Sequence, residues 1–420
     1  MYSYTATSIP FANSYTQRSA GINALYWNPA NINKNSMNNE FMLFPLTYGI
    51  ENNSLNLNLF NRIFGNYEPN DKYSHFDDVV KKDLIDNIGR RTAIGLNFNL
   101  VNLGYSYKNW AFATATNVSV KGRIDGHYTQ ILIQGNKYNK AYKFTNRNSN
   151  FLAVAYQDIT VGYGGYLLNP MIERYYTEYL PPIYGGISIS ALRGFGAAEM
   201  VQFSGEFLAN DNVDGLTLNQ ILTMHSGTNG SGFKIAVGLT SEVYTIDDIR
   251  NITAGFSVDN IWGRINWTKE LRADSYEAVD IRDWDINNLG DSGMFDAKGD
   301  TTYTINKFHT TLPTVFRIGG KYTHSQKTNL SMDIKYSHYI SDGFYYYPEI
   351  SFGYEYNMFD SMPLQLGYRI PWGEAQAIYS FGLGLRMTHY EIGFGYQNIH
   401  GFFTHNTKGV VIATYMRWRF

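Results

Sequence analysis

Cysteine is absent from the chain: Cys is 0. This excludes a disulfide framework, a thiol nucleophile and a cysteine metal site. It is compatible with passage through an oxidising compartment, where stray thiols are a liability. Charge is scarce too. Asp, Glu, Lys and Arg make up 17% of the 420 residues, against ~25% in typical soluble domains. The net charge of −2 supplies no basic field of the kind nucleic-acid binding needs, so no nucleic-acid partner is expected. No run approaches the ~20 apolar residues of a transmembrane helix, and the mean hydropathy is −0.31, so a helical membrane protein is excluded. Met1 to Pro10 lacks the basic and apolar regions of a signal peptide. In an exported protein this means that a mature chain is displayed; the bland alternative is a cytosolic protein.

Catalytic signatures are missing as well. The sequence has no G-x-S-x-G elbow, no H-E-x-x-H and no P-loop, and the G-x-G within Phe381–Leu385 sits inside a strand pattern with no helix after it. No enzyme is expected; a Ser/His/Asp site assembled across strands is the residual alternative. Asp283, Asp285, Asn287 and Asp291 invite a calcium reading, but EF-hand spacing wants Gly where Asn288 stands and Glu where Met294 stands. The segment reads as a solvated loop, with no metal and no cofactor.

What the chain does have is alternation. Aromatic residues make up 16%, with Tyr 35 and Phe 26. In the last stretch, Tyr379, Phe381, Leu383, Leu385 and Met387 form one face, and Ser380, Gly382, Gly384 and Arg386 the other. Tyr390, Ile392, Phe394 and Tyr396 repeat this against Glu391, Gly393, Gly395 and Gln397; Val410, Ile412, Met416, Trp418 and Phe420 do so against Tyr415, Arg417 and Arg419. A period of two is the strand signature, and a soluble sandwich would show it too. The connections decide. Backwards from Phe420 they are long (Asn398–Gly409), short (around Thr388), long (Pro371–Gln376), short (around Asp360), long (Ile340–Tyr347) and short (around Ser325). Short periplasmic turns and long outer loops are the pattern of an outer-membrane barrel.

Taken in order, residues 1–40 do not alternate and read as an irregular segment, with a turn at Asn28-Pro29. Residues 41–420 read as the barrel. Phe41–Tyr48 is the first strand and Ser54–Phe60 a possible partner. Ser74–Ile88 has helical spacing with a capping box at Ser74 and Asp77. Thr92–Tyr107, Trp110–Val120, Tyr128–Gln134 and Asn150–Leu168, the last with a turn near Asp158, read as strands, as do Ile183–Leu192, Glu199–Leu208, Gly232–Leu239 and Asn251–Trp262. A non-periodic acidic insert follows at Ala273–Asp300. Pro313–Thr323, Asn329–Tyr339, Glu349–Phe359, Pro363–Ile370 and the three closing strands complete an all-β, transmembrane antiparallel barrel of about fourteen strands.

The alternation puts Phe316, Ile318 and Tyr322 on the lipid side. Arg317, Lys321, Asp333, Lys335, Glu355, Arg369, Arg386, Glu391, Arg417 and Arg419 then fall on the lumen side, because an Arg or Lys facing mid-membrane lipid costs ~2–4 kcal/mol. The functional reading is a polar, net-basic lumen that orients anionic groups. The structural alternative is a ladder of cross-strand ion pairs bracing the interior, in which Arg369 and Arg386 pair with Glu355 or Glu391. Glycines 353, 367, 382, 384, 393 and 395 on that face leave space or let the wall curve.

The segment Ala24-Leu25-Tyr26-Trp27-Asn28-Pro29-Ala30, preceded by Gly21, resembles the amino-terminal part of the long-chain fatty-acid transporter (FadL-like) superfamily, a broad group that looks to include Bacteroidetes-type barrels. Pro363–Arg369, Phe381–Met387 and Tyr390–Asn398 resemble it at the other end. The resemblance implies an N-terminal plug, or hatch, in a fourteen-stranded outer-membrane barrel, with outer-membrane lipid around it. It implies passive transport of a hydrophobic or amphipathic small molecule that meets the plug at Tyr26, Trp27, Asn28, Pro29 and Ala30, with Arg317, Glu355, Arg369, Arg386 and Glu391 as polar lumen contacts. The alternative is a non-transporting accessory barrel of a secretion or assembly complex. Its protein partner would bind the outer loops through Phe344, Tyr345, Tyr346, Tyr347, Phe402 and Phe403.

Overall fold

The computed structural model describes residues 5–34, 39–64, 78–89, 91–134, 140–167, 182–209, 216–278, 301–338, 348–359, 361–372, 376–399, 401 and 407–420. Its barrel is a closed antiparallel sheet of 14 strands. The first is β1, made of Asn39–Leu43 and, after a break at Phe44 and Pro45, Leu46–Asn52. Then come β2 (Arg91–Tyr107), β3 (Trp110–Asp125), β4 (Asn150–Tyr166), β5 (Ile183–Ala209), β6 (Leu216–Ser241) and β7 (Asn251–Ala278). β8 is Thr314–Thr323, continued at its outer end by Phe308–Thr311 and Thr301–Thr304. β9 (Thr328–His338), β10 (Glu349–Met358), β11 (Met362–Arg369), β12 (Ile378–Arg386), β13 (Tyr390–Ile399) and β14 (Gly409–Arg419) finish the sheet. Each strand pairs with the next, and β14 closes on β1 from Gly409 opposite Glu51 to Thr414 opposite Leu46. Closure removes every open edge, which is what hydrocarbon demands of a sheet.

The break in β1 has a local cause. Phe44 lies at φ 51 and Pro45 has no N–H to give the ladder, while the Pro45 carbonyl still accepts from Val101 at 3.1 Å. Burial alternates along the strands as the sequence implied. Ile318, Leu330, Phe352, Leu366, Leu383 and Phe394 face out, whereas Arg317, Asp333, Glu355, Arg369 and Glu391 face in and are buried. An apolar exterior around a charged interior places the chain in an outer membrane.

Two corrections concern the outer end. Leu57–Phe64 and Gly126–Gln134 are helices, not strands; both fall between strands at the barrel mouth, together with the helix Asp78–Ile88. The proposed cap of that last helix lies outside the described residues. A third correction concerns length. Ile183–Leu192 and Glu199–Leu208 are one strand, β5, and Asn150–Tyr166 runs through Asp158 without a turn. β5, β6 and β7 have 27, 26 and 28 residues, far above the ~9–11 that cross a bilayer. β9 to β14 have 8 to 11. One side of the barrel therefore stands well clear of the membrane at the outer end. Ala273–Ala278, expected in a loop, belongs to β7; residues 279–300 lie outside the described part.

Candidate functional site

Residues 5–34 fill the lumen as a plug, almost all of them buried. Its course is a series of tight turns: 3-10 turns at Ala6–Phe11, Gly21–Asn23 and Pro29–Lys34, and one helical turn at Ala24–Trp27. The left-handed pair Ala12 (φ 49) and Asn13 (φ 68) reverses the chain. The Ser8 hydroxyl fixes that reversal by donating to Asn13 Oδ1 at 2.9 Å. Asn28 Oδ1 accepts the Ala30 N–H at 3.2 Å, so Asn-Pro-Ala starts the third turn as an Asx motif.

The plug is held by named wall residues. Asp333 on β9 accepts the backbone N–H groups of Tyr15 and Thr16 at 2.8 and 2.7 Å. Arg18 Nε donates to Ser331 at 2.8 Å and Nη2 to the Asn329 carbonyl at 2.9 Å, while Nη1 lies 3.7 Å from Glu355. Tyr26 donates to Asp158 on β4 at 3.1 Å. Asn28 donates to the Leu239 carbonyl at 3.1 Å, and Ser188 to the Leu25 carbonyl at 3.0 Å. Trp27 donates to Thr5 at 2.9 Å, and the Arg317 guanidinium lies 4.9 Å from its ring centre.

Space for the plug comes from missing side chains on the wall. A Cβ at Gly186 would sit 2.2 Å from the Pro29 carbonyl carbon, and one at Gly164 2.2 Å from the Pro29 oxygen. Of the six glycines singled out in the sequence, Gly353, Gly367, Gly382 and Gly395 face the plug at Pro10 or Phe11. Gly384 faces Pro363 and Gly393 faces Tyr415, both wall residues.

The lumen charges form two clusters around acids. Glu349 takes Lys335 at 2.8 Å and Arg369 at 3.0 Å. Glu391 takes Arg417 at 2.7 Å, with Arg386 and Arg419 each at 3.3 Å. Glu40 lies 3.7 Å from Arg417, and Arg386 also reaches Glu355 at 4.0 Å. The pairing expected for Arg386 is present. That expected for Arg369 is not: its partner is Glu349, because the β10–β11 register sets Arg369 opposite Ser351, two residues from Glu349 and four from Glu355. Arg317 pairs with Asp259 at 3.7 Å, while its Nε and Nη1 have no hydrogen-bond partner among the described residues. Most of the basic lumen is thus neutralised from within; Arg317 keeps two donors to spare, and Arg369 and Arg419 each keep their Nε.

Toward the outer end the interior turns apolar. Leu152, Tyr156, Leu192, Ile265, Trp267 and Phe308 make one buried cluster. Tyr142, Phe144, Phe203 and Phe207 make a second with Ile131, which comes from the helix at the mouth. The plug's own cluster of Tyr15, Ile22, Leu25 and Trp27 lies below them. A groove of about 670 Å³ is also present, but it opens on the lipid face, over Ala254 and Gly320 between Ile318, Met332, Phe352 and Tyr354. Sequence reasoning passed over Asp158, Asp259, Glu349 and Lys234, whose Nζ lies 4.0 Å from Asp158, although the period of two sets Asp158 inward beside Tyr156 and Thr160. Phe344, Tyr345, Tyr346, Tyr347, Phe402 and Phe403 lie outside the described residues, as do Asp283, Asp285, Asn287 and Asp291.

Solved structures share this architecture. The Ralstonia pickettii toluene transporter TbuX matches over 98% of each chain at 11% identity, with a TM-score of 0.50. The TodX deltaS2S3 mutant, a monoaromatic hydrocarbon channel, matches over 99% of this chain and 98% of its own, at 12% identity and a TM-score of 0.50. A Pseudomonas aeruginosa FadL homologue does so over 99% and 98%, at 11% and 0.50. At such identity the likeness shows the fold alone, a barrel of 14 strands with an N-terminal segment like theirs, and lends nothing to the Bacteroidetes-type affiliation. No family model matches the sequence, and no curated protein matches it.

Proposed function

We propose that the barrel is a passive channel carrying hydrophobic or amphipathic small molecules across the outer membrane. One observation carries this reading: the barrel interior holds three separate apolar clusters, at the mouth, in the outer lumen and at the plug. Such a lining favours solutes that leave water readily. The structural neighbours described as toluene and monoaromatic hydrocarbon transporters support it. In this reading Tyr26, Trp27, Asn28, Pro29 and Ala30 present the plug surface that the solute meets. Arg317 contacts the polar end of an amphiphile, and Glu355, Arg369, Arg386 and Glu391 form the neutralised polar wall beside it. No observation favours the accessory-subunit alternative, whose supporting loops lie outside the described residues.

The test is uptake of radiolabelled toluene and of a medium-chain fatty acid by cells that lack other hydrocarbon channels, with and without the protein. Faster uptake of either solute is expected. Equal rates, with the folded barrel verified in the membrane, would overturn the proposal.

A further inference from the structure

The long-strand side of the barrel carries a cationic surface that neither the plug nor the lumen uses. We propose that it binds the phosphoryl groups of the glycolipid forming the outer leaflet. Outward-facing residues on β6 run Leu239, Val237, Phe233 and then Ser231; on β7 they run Phe256, Trp262 and then Arg264, Asn266 and Thr268. The switch from apolar to polar marks where the wall leaves hydrocarbon. Trp262 is 72% exposed and Phe233 51%, as residues of an aromatic belt at the membrane boundary are.

Directly beyond this belt the register gathers polar groups from four neighbouring strand segments. Arg193 on β5 is opposite Ser231 on β6, Ser231 is opposite Asn266 on β7, and Asn266 is opposite His309 on the outer extension of β8. Arg264 stands two residues from Asn266, opposite Phe233. Paired residues share a face, and strand spacing puts the Arg193 and Arg264 backbones about 12 Å apart. Two extended arginine side chains can close on one phosphoryl group across that span.

The two arginines have no acid paired with them: among the described residues Arg193, Arg264, Lys269 and Lys307 form no ion pair, whereas Arg272 is held by Asp274 at 3.2 Å. Glu270, next to Lys269, accepts the Thr228 hydroxyl at 3.0 Å. Unpaired arginines at the headgroup level suit a fixed anion, because the guanidinium fork matches two phosphoryl oxygens. The Ser231 hydroxyl and Asn266 amide add neutral donors between the two forks.

The experiment is native mass spectrometry of the intact protein extracted in mild detergent from its own membrane, compared with the double variant R193Q/R264Q. Retained glycolipid is expected to fall about tenfold per arginine removed, the loss of one charge-assisted contact each. Both proteins should show the gel-mobility shift on heating that marks a folded barrel. Equal retention by the folded variant would overturn the proposal. So would equal retention of enzymatically dephosphorylated glycolipid by the wild type. Retention of inorganic phosphate by the wild type with no glycolipid retained would assign the surface to a free anion and likewise overturn it.

Discussion

Gly186 and Gly196 lie on the same strand, yet only one of them is needed. A methyl group at Gly186 would collide with the Pro29 carbonyl carbon at 2.2 Å and the Ala30 nitrogen at 2.3 Å, both backbone atoms that cannot rotate away. At Gly196 the nearest atom is the Gly227 oxygen at 3.9 Å. Gly186→Ala should therefore unseat the turn Pro29–Lys34, while Gly196→Ala should change stability by less than about 0.5 kcal/mol. Amide hydrogen exchange over residues 24–34 separates the two; equal protection in both variants would contradict the close approach. Asp333→Ala should act at the other side of the plug. It removes two hydrogen bonds to a charged acceptor, each worth ~1.5–3 kcal/mol, and leaves the Tyr15 and Thr16 N–H groups without partners. Their exchange should speed up by at least about 100-fold, the equivalent of ~3 kcal/mol. The inward position of Asp333 was legible from alternation. Its partners were not, because they lie 318 and 317 residues away in the chain. Asp158 shows the opposite failure: aspartate inside a strand pattern suggests a turn, but here it is the acceptor of the Tyr26 hydroxyl.

Strands were legible wherever alternation ran unbroken, as from β9 to β14. β5 looked like two strands for a physical reason. The β4–β5 register slips around Phe195, and the β5–β6 register slips around Val201. Each bulge inserts one residue and resets the face pattern. The helices Leu57–Phe64 and Gly126–Gln134 were misread because a short run of Leu, Ile and Tyr fits both periods. At the periplasmic end, the turn after β6 is closed by Asp247. Its carboxylate accepts the Ile249 and Arg250 N–H groups at 3.1 and 2.7 Å, and its pKa lies below the ordinary value, with the Arg250 backbone contact as the main cause. The absence of cysteine makes orientation directly testable, since any introduced thiol is unique. Thr301→Cys, at the outer tip of β8, should react with an impermeant maleimide on intact cells. Gln326→Cys, in the short turn between β8 and β9, should react only after the outer membrane is permeabilised. The reverse pattern would invert the barrel.

At the scale of the whole molecule, strand number and plug belong together. Eight strands give an interior that side chains alone can fill, while sixteen to eighteen leave an aqueous channel. A barrel of 14 strands is too wide to close with side chains when its inner wall also carries a belt of glycines. The N-terminal segment completes that interior with Pro10, Phe11, Trp27 and Pro29 where the wall has none. The two wall clusters remain paired without it: Glu349 with Lys335 and Arg369, and Glu391 with Arg417, are contacts between strands. Removing residues 5–34 should consequently leave the sheet closed but open the lumen to water and ions. In planar bilayers the intact protein should show no stable ion conductance, whereas the truncated protein, refolded and showing the heat-dependent gel shift, should give discrete conducting steps. Their cation-to-anion preference should respond to Glu391→Gln, which leaves Arg386, Arg417 and Arg419 without their shared acid and makes the bore more anion-selective. A folded truncation that stays silent would mean that the wall collapses inward, and that the plug is a folding element of the barrel as well as its filling.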